Sequence, residues 1–91
     1  MAKKTVNYKK ESIKNLPNNK PVVYKITTAG GTNNYTGTAK RGRVQERIGE
    51  HLNEIPGAKV QIEQMPSIED ARKKEVNIIR RSQPKYNKQG K

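Results

Sequence analysis

The chain has 91 residues, enough for one domain but not for two. Its 20 Lys and Arg residues against 8 Asp and Glu give a formal charge of +12, above the roughly 2–8 charges that solubility requires, so an anionic partner is expected. Nucleic acid is a better candidate for this partner than a membrane, because no long apolar run is present. The absence of cysteine excludes disulfides and thiolate metal sites. The polar start "MAKKTVNYKK" lacks the apolar core of a signal peptide, so a cytoplasmic or nucleoid-associated protein is expected.

The N-terminal part divides into a basic segment and the start of a folded domain. Residues 1–20 are polar and basic, with one short turn expected around Ile13 and Leu16. Residues 21–91 are expected to form the domain itself. It opens with Val22–Thr28, a run of β-formers that predicts a strand.

The first strand is followed by a turn and a second strand. The turn contains the pair Gly30-Gly31, which tolerates positive φ, and Tyr35–Ala39 then predicts a returning strand. Gly37 is unhelpful to a strand and predicts close approach by a ligand or another backbone. Tyr24 and Tyr35 are expected on neighbouring strands, pointing to the same side.

The second half alternates helix and strand. Apolar residues at helical spacing predict a helix over approximately Arg43–Ile55, and alternation predicts a third strand over Ala58–Met65. Ser67 is a good N-cap for a second helix that runs to about Arg81, and Ser82–Lys91 is a basic, irregular tail. The order β–β–α–β–α predicts an α+β fold with a three-stranded antiparallel sheet flanked by helices.

Polar residues interrupt the apolar faces of both helices. Glu75 falls inside a stripe of apolar residues and needs compensation, either by a metal ion or by a basic neighbour. Arg47 and His51 are four residues apart and project together, as a phosphate site or as surface and structural residues. Tyr24 and Tyr35 are either a packing pair or part of the same site. Together these groups suit phosphodiester hydrolysis.

The order of short motifs resembles the GIY-YIG nuclease superfamily. "VVY" and "YTG" are similar to its paired signature, and "GTAK", "RIGEH" and "KKEVNIIRRSQPKYN" are similar to its later motifs. The similarity spans roughly Leu16 to Asn87. The segments "KKEVNIIRRSQPKYN" and "NLPNNKPVVY" are especially similar to the N-terminal nuclease domain of the bacterial excision-repair endonuclease, and the chain is also similar to the catalytic domains of homing endonucleases.

The resemblance implies a role for each matching residue. Catalytic roles fall to Tyr24 (orienting or deprotonating water), Tyr35 (holding water or phosphate), Arg47 (stabilising the phosphate), His51 (phosphate contact or proton transfer), Glu75 (the protein ligand of Mg²⁺ or Mn²⁺), Asn87 (tying the tail to the site) and Lys40. Nucleic-acid binding is expected from Gly37, Lys40, Arg41, Arg43, Lys85 and Lys88, Gly37 by admitting the substrate.

The expected chemistry concerns the Tyr24 phenol, the group that accepts the proton from water and the catalytic arginine. Neighbouring cations and a metal ion are expected to favour the phenolate of Tyr24, because a free tyrosine is a poor base at neutral pH. The group that takes the proton from water stays open between Tyr24, His51 and Lys40. The catalytic arginine is Arg47 or Arg43, with Arg47 favoured because His51 follows it at helical spacing.

The expected function is a divalent-metal-dependent endonuclease that hydrolyses DNA by in-line attack of water. The alternative is a non-catalytic, basic nucleic-acid-binding module. Single-stranded, nicked or branched DNA and RNA all remain open as substrates. Specificity is expected to be low, read from nucleic-acid structure, or supplied by a partner domain or a homodimer, with the two basic tails following backbone phosphates.

Overall fold

The computed structural model describes residues 3–52 and 54–82, which form an α+β domain with one antiparallel sheet. The expected fold class is therefore confirmed. The elements in chain order are β1 (Lys3–Asn7), α1 (Lys10–Ile13), β2 (Val22–Thr27), β3 (Asn33–Ala39), α2 (Val44–Glu50), β4 (Lys59–Gln64) and α3 (Ile68–Ser82). None of the described helices is long and apolar enough to cross a membrane.

The predicted three-stranded sheet is wrong, because the described residues form four strands in the order β1-β4-β2-β3. The additional strand is β1, which pairs with β4 so that Thr5 lies opposite Gln61. Its sequence, "KKTVN", contains too few β-formers to predict a strand. Such lysines are tolerated at the edge of a sheet, where their side chains stay in water.

The basic segment at residues 1–20 is, in its described part, built into the domain. Tyr8, Ile13 and Leu16 are buried in the main apolar core. Asn18 contacts the start of α2: its Oδ1 accepts a hydrogen bond of 2.7 Å from the backbone N–H of Val44. This contact satisfies one of the free donors at the start of the helix and fixes where α2 begins.

Helix α2 is shorter than the sequence predicts. The regular helix ends at Glu50 rather than near Ile55. Its last turn tightens, because the N–H groups of His51 and Leu52 donate to carbonyls three residues earlier, at 3.1 and 3.2 Å. His51 consequently lies at the carboxyl end of the helix.

The sheet carries helices on both faces. One face holds the larger core, with α1 and α2 packed over Tyr24, Ile26 and Ile62. The opposite face packs Val23 against α3 in a smaller cluster. Helix α3 is also tied to β4 by an ion pair of 2.7 Å between Lys74 and Glu63, whose side chain is 11% exposed.

The β2–β3 hairpin brings the two tyrosines together. Tyr24 lies opposite Gly37, and Tyr35 lies opposite Ile26, two residues further along β2. Because side chains alternate across a strand, Tyr24 and Tyr35 share a face, as expected from the sequence. Their ring centroids are 6.1 Å apart.

Gly37 lies directly against both tyrosine rings. A Cβ atom there would be 2.7 Å from the Tyr24 phenol oxygen and 2.9 Å from Tyr35 Cε2. A close approach at Gly37 is therefore present, and the groups that make it are two side chains of this chain. Glycine at this position allows both rings to pack.

Replacing Gly37 with alanine should destabilise the domain by about 1–3 kcal/mol, since the added methyl group forces both rings to move. Gly49→Ala is a matched control: among the described residues, no atom beyond its chain neighbours and its own helix backbone lies within 4 Å of a Cβ at this position in α2. Alanine in a helix is favoured over glycine by about 0.5–1 kcal/mol, so the control should stabilise. Urea unfolding of the two variants measures both effects, and a Gly37→Ala protein as stable as the wild type would contradict this packing.

Candidate active site at the edge strand

Three aromatic side chains from separate elements meet beside the edge strand β3. Tyr24 comes from β2, Tyr35 from β3 and His51 from the end of α2. The imidazole centroid of His51 is 4.7 Å from that of Tyr35 and 5.9 Å from that of Tyr24. We call these three residues the aromatic cluster.

A buried hydrogen bond joins two members of the cluster. The Tyr24 phenol and His51 Nε2 are 2.8 Å apart. Tyr24 has no exposed surface, and His51 is 8% exposed. Burial lowers the pKa of His51, with Arg47 adding to the effect and Glu54 and Glu50 opposing it, so the imidazole is neutral at pH 7. A neutral imidazole can accept the Tyr24 proton at Nε2.

The same burial keeps both phenols protonated. The pKa of Tyr24 lies above its ordinary value because burial raises it by more than Arg47 lowers it. The pKa of Tyr35 is also raised by burial, although a hydrogen-bond interaction with Tyr24 lowers it. Arg47 favours the Tyr24 phenolate, as expected of a neighbouring cation, but the lost hydration of Tyr24 outweighs this attraction.

Arg47 and Glu75 both act on the cluster electrostatically. Arg47 lowers and Glu75 raises the pKa values of Tyr24 and Tyr35. Glu75 is half-buried on α3, which packs against β3. A carboxylate and a guanidinium thus lie within electrostatic reach of the same pair of phenols, at the edge of the sheet.

A basic cleft of about 270 Å³ includes Arg47, which lies one turn before His51 on α2. It lies between the end of β3, the start of α2 and the start of α3, and we call it the basic cleft. Its lining residues are Thr38, Ala39, Lys40, Arg43, Arg47, Ile68 and Arg72. Four of these seven side chains are cationic and none is acidic.

The structure distributes the predicted nucleic-acid-binding residues unevenly. Lys40 and Arg43 line the basic cleft, whereas Arg41 is exposed and lies outside its lining. Asn87, Lys85 and Lys88 lie outside the described residues. Of the expected nucleic-acid-binding residues that the structure describes, Lys40 and Arg43 thus share the basic cleft with the predicted catalytic Arg47, and Arg41 and Gly37 do not line it.

Arg72 is the residue that sequence reasoning missed. It lies four residues after Ile68 and three before Glu75, so all three fall on one side of α3. This spacing could have identified it from the sequence. Only the packing of α3 against β3, however, brings Arg72 into a cleft with the cations of α2.

The predicted metal ligand Glu75 can be compared with the other possible ligands that the structure describes. No group of three or more His, Cys, Asp or Glu residues in ranges 3–52 and 54–82 is arranged to hold a metal. Glu75 is a half-buried carboxylate within electrostatic reach of both phenols. Mg²⁺ commonly keeps most of its waters and binds one or two carboxylates together with substrate phosphates, so Glu75 fits as a single protein ligand.

Compared with known proteins, the chain matches no family model and no curated protein sequence. The similarity to GIY-YIG nucleases therefore stays a prediction that depends on the order of short motifs. The chemistry open to the site follows from its geometry: two phenols, a neutral imidazole, an arginine and a carboxylate around one sheet edge.

The lowered pKa of His51 predicts a stability loss in acid. Between the folded pKa and the unfolded value of about 6.5, the unfolded chain binds more protons, so the free energy of unfolding falls as pH drops below about 6.5. Above that pH the histidine contributes no slope. Urea unfolding at a series of pH values should show a shallower acid-side slope in His51→Gln than in the wild type, and equal slopes would contradict a buried neutral imidazole.

Proposed function

We propose that this protein is a GIY-YIG-type endonuclease that hydrolyses phosphodiester bonds in nucleic acid with the help of Mg²⁺ or Mn²⁺. The observation that carries the proposal is the aromatic cluster itself. Its two phenols pack together, and the phenol of Tyr24 is hydrogen-bonded to the buried, neutral imidazole of His51. Arg47 and Glu75 act on the same phenols. Arg47 also lines a cleft rich in cations.

The proton of the attacking water passes to His51 through the phenols. Tyr35 is half-buried and so reaches solvent, Tyr24 interacts with it, and Tyr24 bonds to His51 Nε2. The path requires the Tyr35 O–H to donate to the Tyr24 oxygen while the Tyr24 O–H donates to Nε2. As the water oxygen bonds to phosphorus, its proton moves to Tyr35, the Tyr35 proton moves to Tyr24, and the Tyr24 proton moves to Nε2. No free phenolate forms, which suits the raised pKa values of both tyrosines.

Positive charge for the phosphorane comes from Arg47, which lies in the basic cleft and also acts on the phenols. This double placement supports Arg47 over Arg43 as the catalytic arginine. Glu75 would hold the metal ion, which when bound supplies further positive charge at the phosphorane and the leaving oxygen. The breaking P–O bond lies opposite the incoming water, and solvent protonates the leaving oxygen.

DNA is the proposed substrate, with RNA as the second choice. The charge of +12 supports an anionic polymer, and no described element forms a separate domain for reading sequence. Cleavage would therefore depend on substrate structure, on a partner domain or on a second copy. A cytoplasmic or nucleoid location is proposed on the same grounds.

One observation favours a non-catalytic nucleic-acid-binding module as a second candidate. Tyr24 has no exposed surface, so it cannot touch substrate, and its bond to His51 would serve equally to hold β2 against α2. On this alternative the basic cleft would bind phosphates and the aromatic cluster would be structural. The two candidates differ in what the removal of one phenol oxygen does to cleavage.

Tyr24→Phe tests the proton path, because it keeps the ring and removes only the oxygen. Cleavage of plasmid DNA in Mg²⁺ should fall by about 10²–10⁴, the usual contribution of general acid–base catalysis. Tyr8→Phe is the matched control: its phenol oxygen is also buried, without a hydrogen-bond partner among the described residues. The control should cut normally, since Tyr8 lies outside the aromatic cluster. Equal cleavage rates for Tyr24→Phe and the wild type would contradict the proposed proton path.

The dependence of cleavage on pH identifies the final proton acceptor. If His51 accepts the proton, kcat/KM should rise as pH increases through the lowered pKa of His51, below about 6.5, and then stay level. If a tyrosine had to lose its proton first, the rate should still be rising at pH 9. Such a continuing rise in the wild type would contradict the role of His51.

Glu75→Gln separates an enzyme from a binding module. For an endonuclease, nicking in Mg²⁺ should fall by about 10²–10³ with this variant, a loss typical of removing one charge-stabilising group, and should vanish in EDTA. Binding of the same DNA in EDTA should remain. Wild-type protein that binds DNA but produces no metal-dependent nicks under any divalent ion would favour the non-catalytic module.

A further inference from the structure

We infer that the basic cleft is a phosphate subsite for the nucleotide next to the cleaved bond, and that Arg72 is the residue through which α3 holds that phosphate. This inference rests on the proposed function, because it uses the position of the aromatic cluster to set the register of the strand. The cleft joins cations from three elements that are distant in sequence: Lys40, Arg43 with Arg47, and Arg72.

The charges in the cleft are available to an anion. Arg43 and Arg47 pair with Glu46 and Glu50 at 2.6 and 3.5 Å, but both pairs are about half exposed. Exposed pairs of this kind contribute about 0–1 kcal/mol, so a phosphate can replace the carboxylates. Within the described ranges, Lys40 and Arg72 make no ion pair.

The size and lining of the cleft indicate a nucleotide phosphate. Its volume of about 270 Å³ falls just below the range of roughly 300–1,000 Å³ typical of small-molecule pockets. Ile68 and Ala39 give it an apolar side, which suits a sugar, and Thr38 adds a hydroxyl. Four cations around a small space suit the phosphate that the sugar carries.

Arg47 sets the spacing between the two phosphates. It lines the basic cleft, and on α2 it lies one turn before His51 of the aromatic cluster, so one side chain links the two places. A phosphate in the cleft and one at the phenols would therefore be neighbours on a strand. This places the strand along the end of β3, between α2 and α3.

Arg72→Gln tests the subsite with Arg81→Gln as its matched control. Both arginines are exposed on α3, and nine residues, or about two and a half turns, put them on opposite sides of the helix. Arg81 does not line the cleft. Binding of a fluorescent single-stranded oligonucleotide is measured in EDTA over a range of salt concentrations, so that no cleavage intervenes.

Arg72→Gln should bind about tenfold more weakly at low salt, and the slope of log Kd against log salt should fall by about 0.7, the value for one phosphate contact on a single strand. Arg81→Gln should bind almost like the wild type, and Arg72→Lys should recover much of the loss because it restores the charge. Equal losses in Arg72→Gln and Arg81→Gln would show diffuse attraction and overturn the subsite, as would wild-type binding by Arg72→Gln.

These results are distinguishable from a failure of the proposed function. Wild-type protein that binds in EDTA but never nicks DNA in Mg²⁺ would remove the nuclease, while the two arginine variants would still decide whether the cleft holds phosphate. Wild-type protein that binds no nucleic acid would overturn both.

Discussion

The packing of Tyr24 against Gly37, with its phenol bonded to His51 Nε2 at 2.8 Å, is the contact on which the rest of the site depends. It joins β2, β3 and the end of α2, so it links the hairpin to the helix that follows it. The missing side chain at Gly37 leaves room for the ring, and Tyr35 fills the remaining space. Any larger residue there would separate the phenols from the imidazole.

Burial then decides the chemistry of the cluster. In water a tyrosine and a histidine have ordinary pKa values near 10 and 6.5. Neighbouring cations lower the pKa of a tyrosine toward pH 7. Here the loss of hydration raises the pKa of Tyr24 and lowers that of His51, so both are neutral at pH 7. The pair is consequently suited to passing a proton along an existing hydrogen bond rather than to storing a negative charge.

Distant contacts place the charged groups around this neutral centre. Asn18 binds the first N–H of α2, which fixes where the helix begins and so where Arg47 emerges. The ion pair between Lys74 and Glu63 ties α3 to β4, which helps to hold Arg72 and Glu75 near β3. Both contacts involve residues outside the site, so the position of the charges depends on the fold as a whole.

The sequence by itself determined the α+β class, the β2–β3 hairpin, the approximate range of α3 and the pairing of the two tyrosines, because these depend on local periodicity and turn residues. It also singled out Arg47, His51 and Glu75 as polar groups beside apolar stripes. Tertiary structure alone decided the rest. Strand β1 forms because β4 offers it a partner, despite its lysines. The direction of the Tyr24 pKa and the place of Arg72 in the cleft follow from burial and helix packing, which involve residues far apart in the chain.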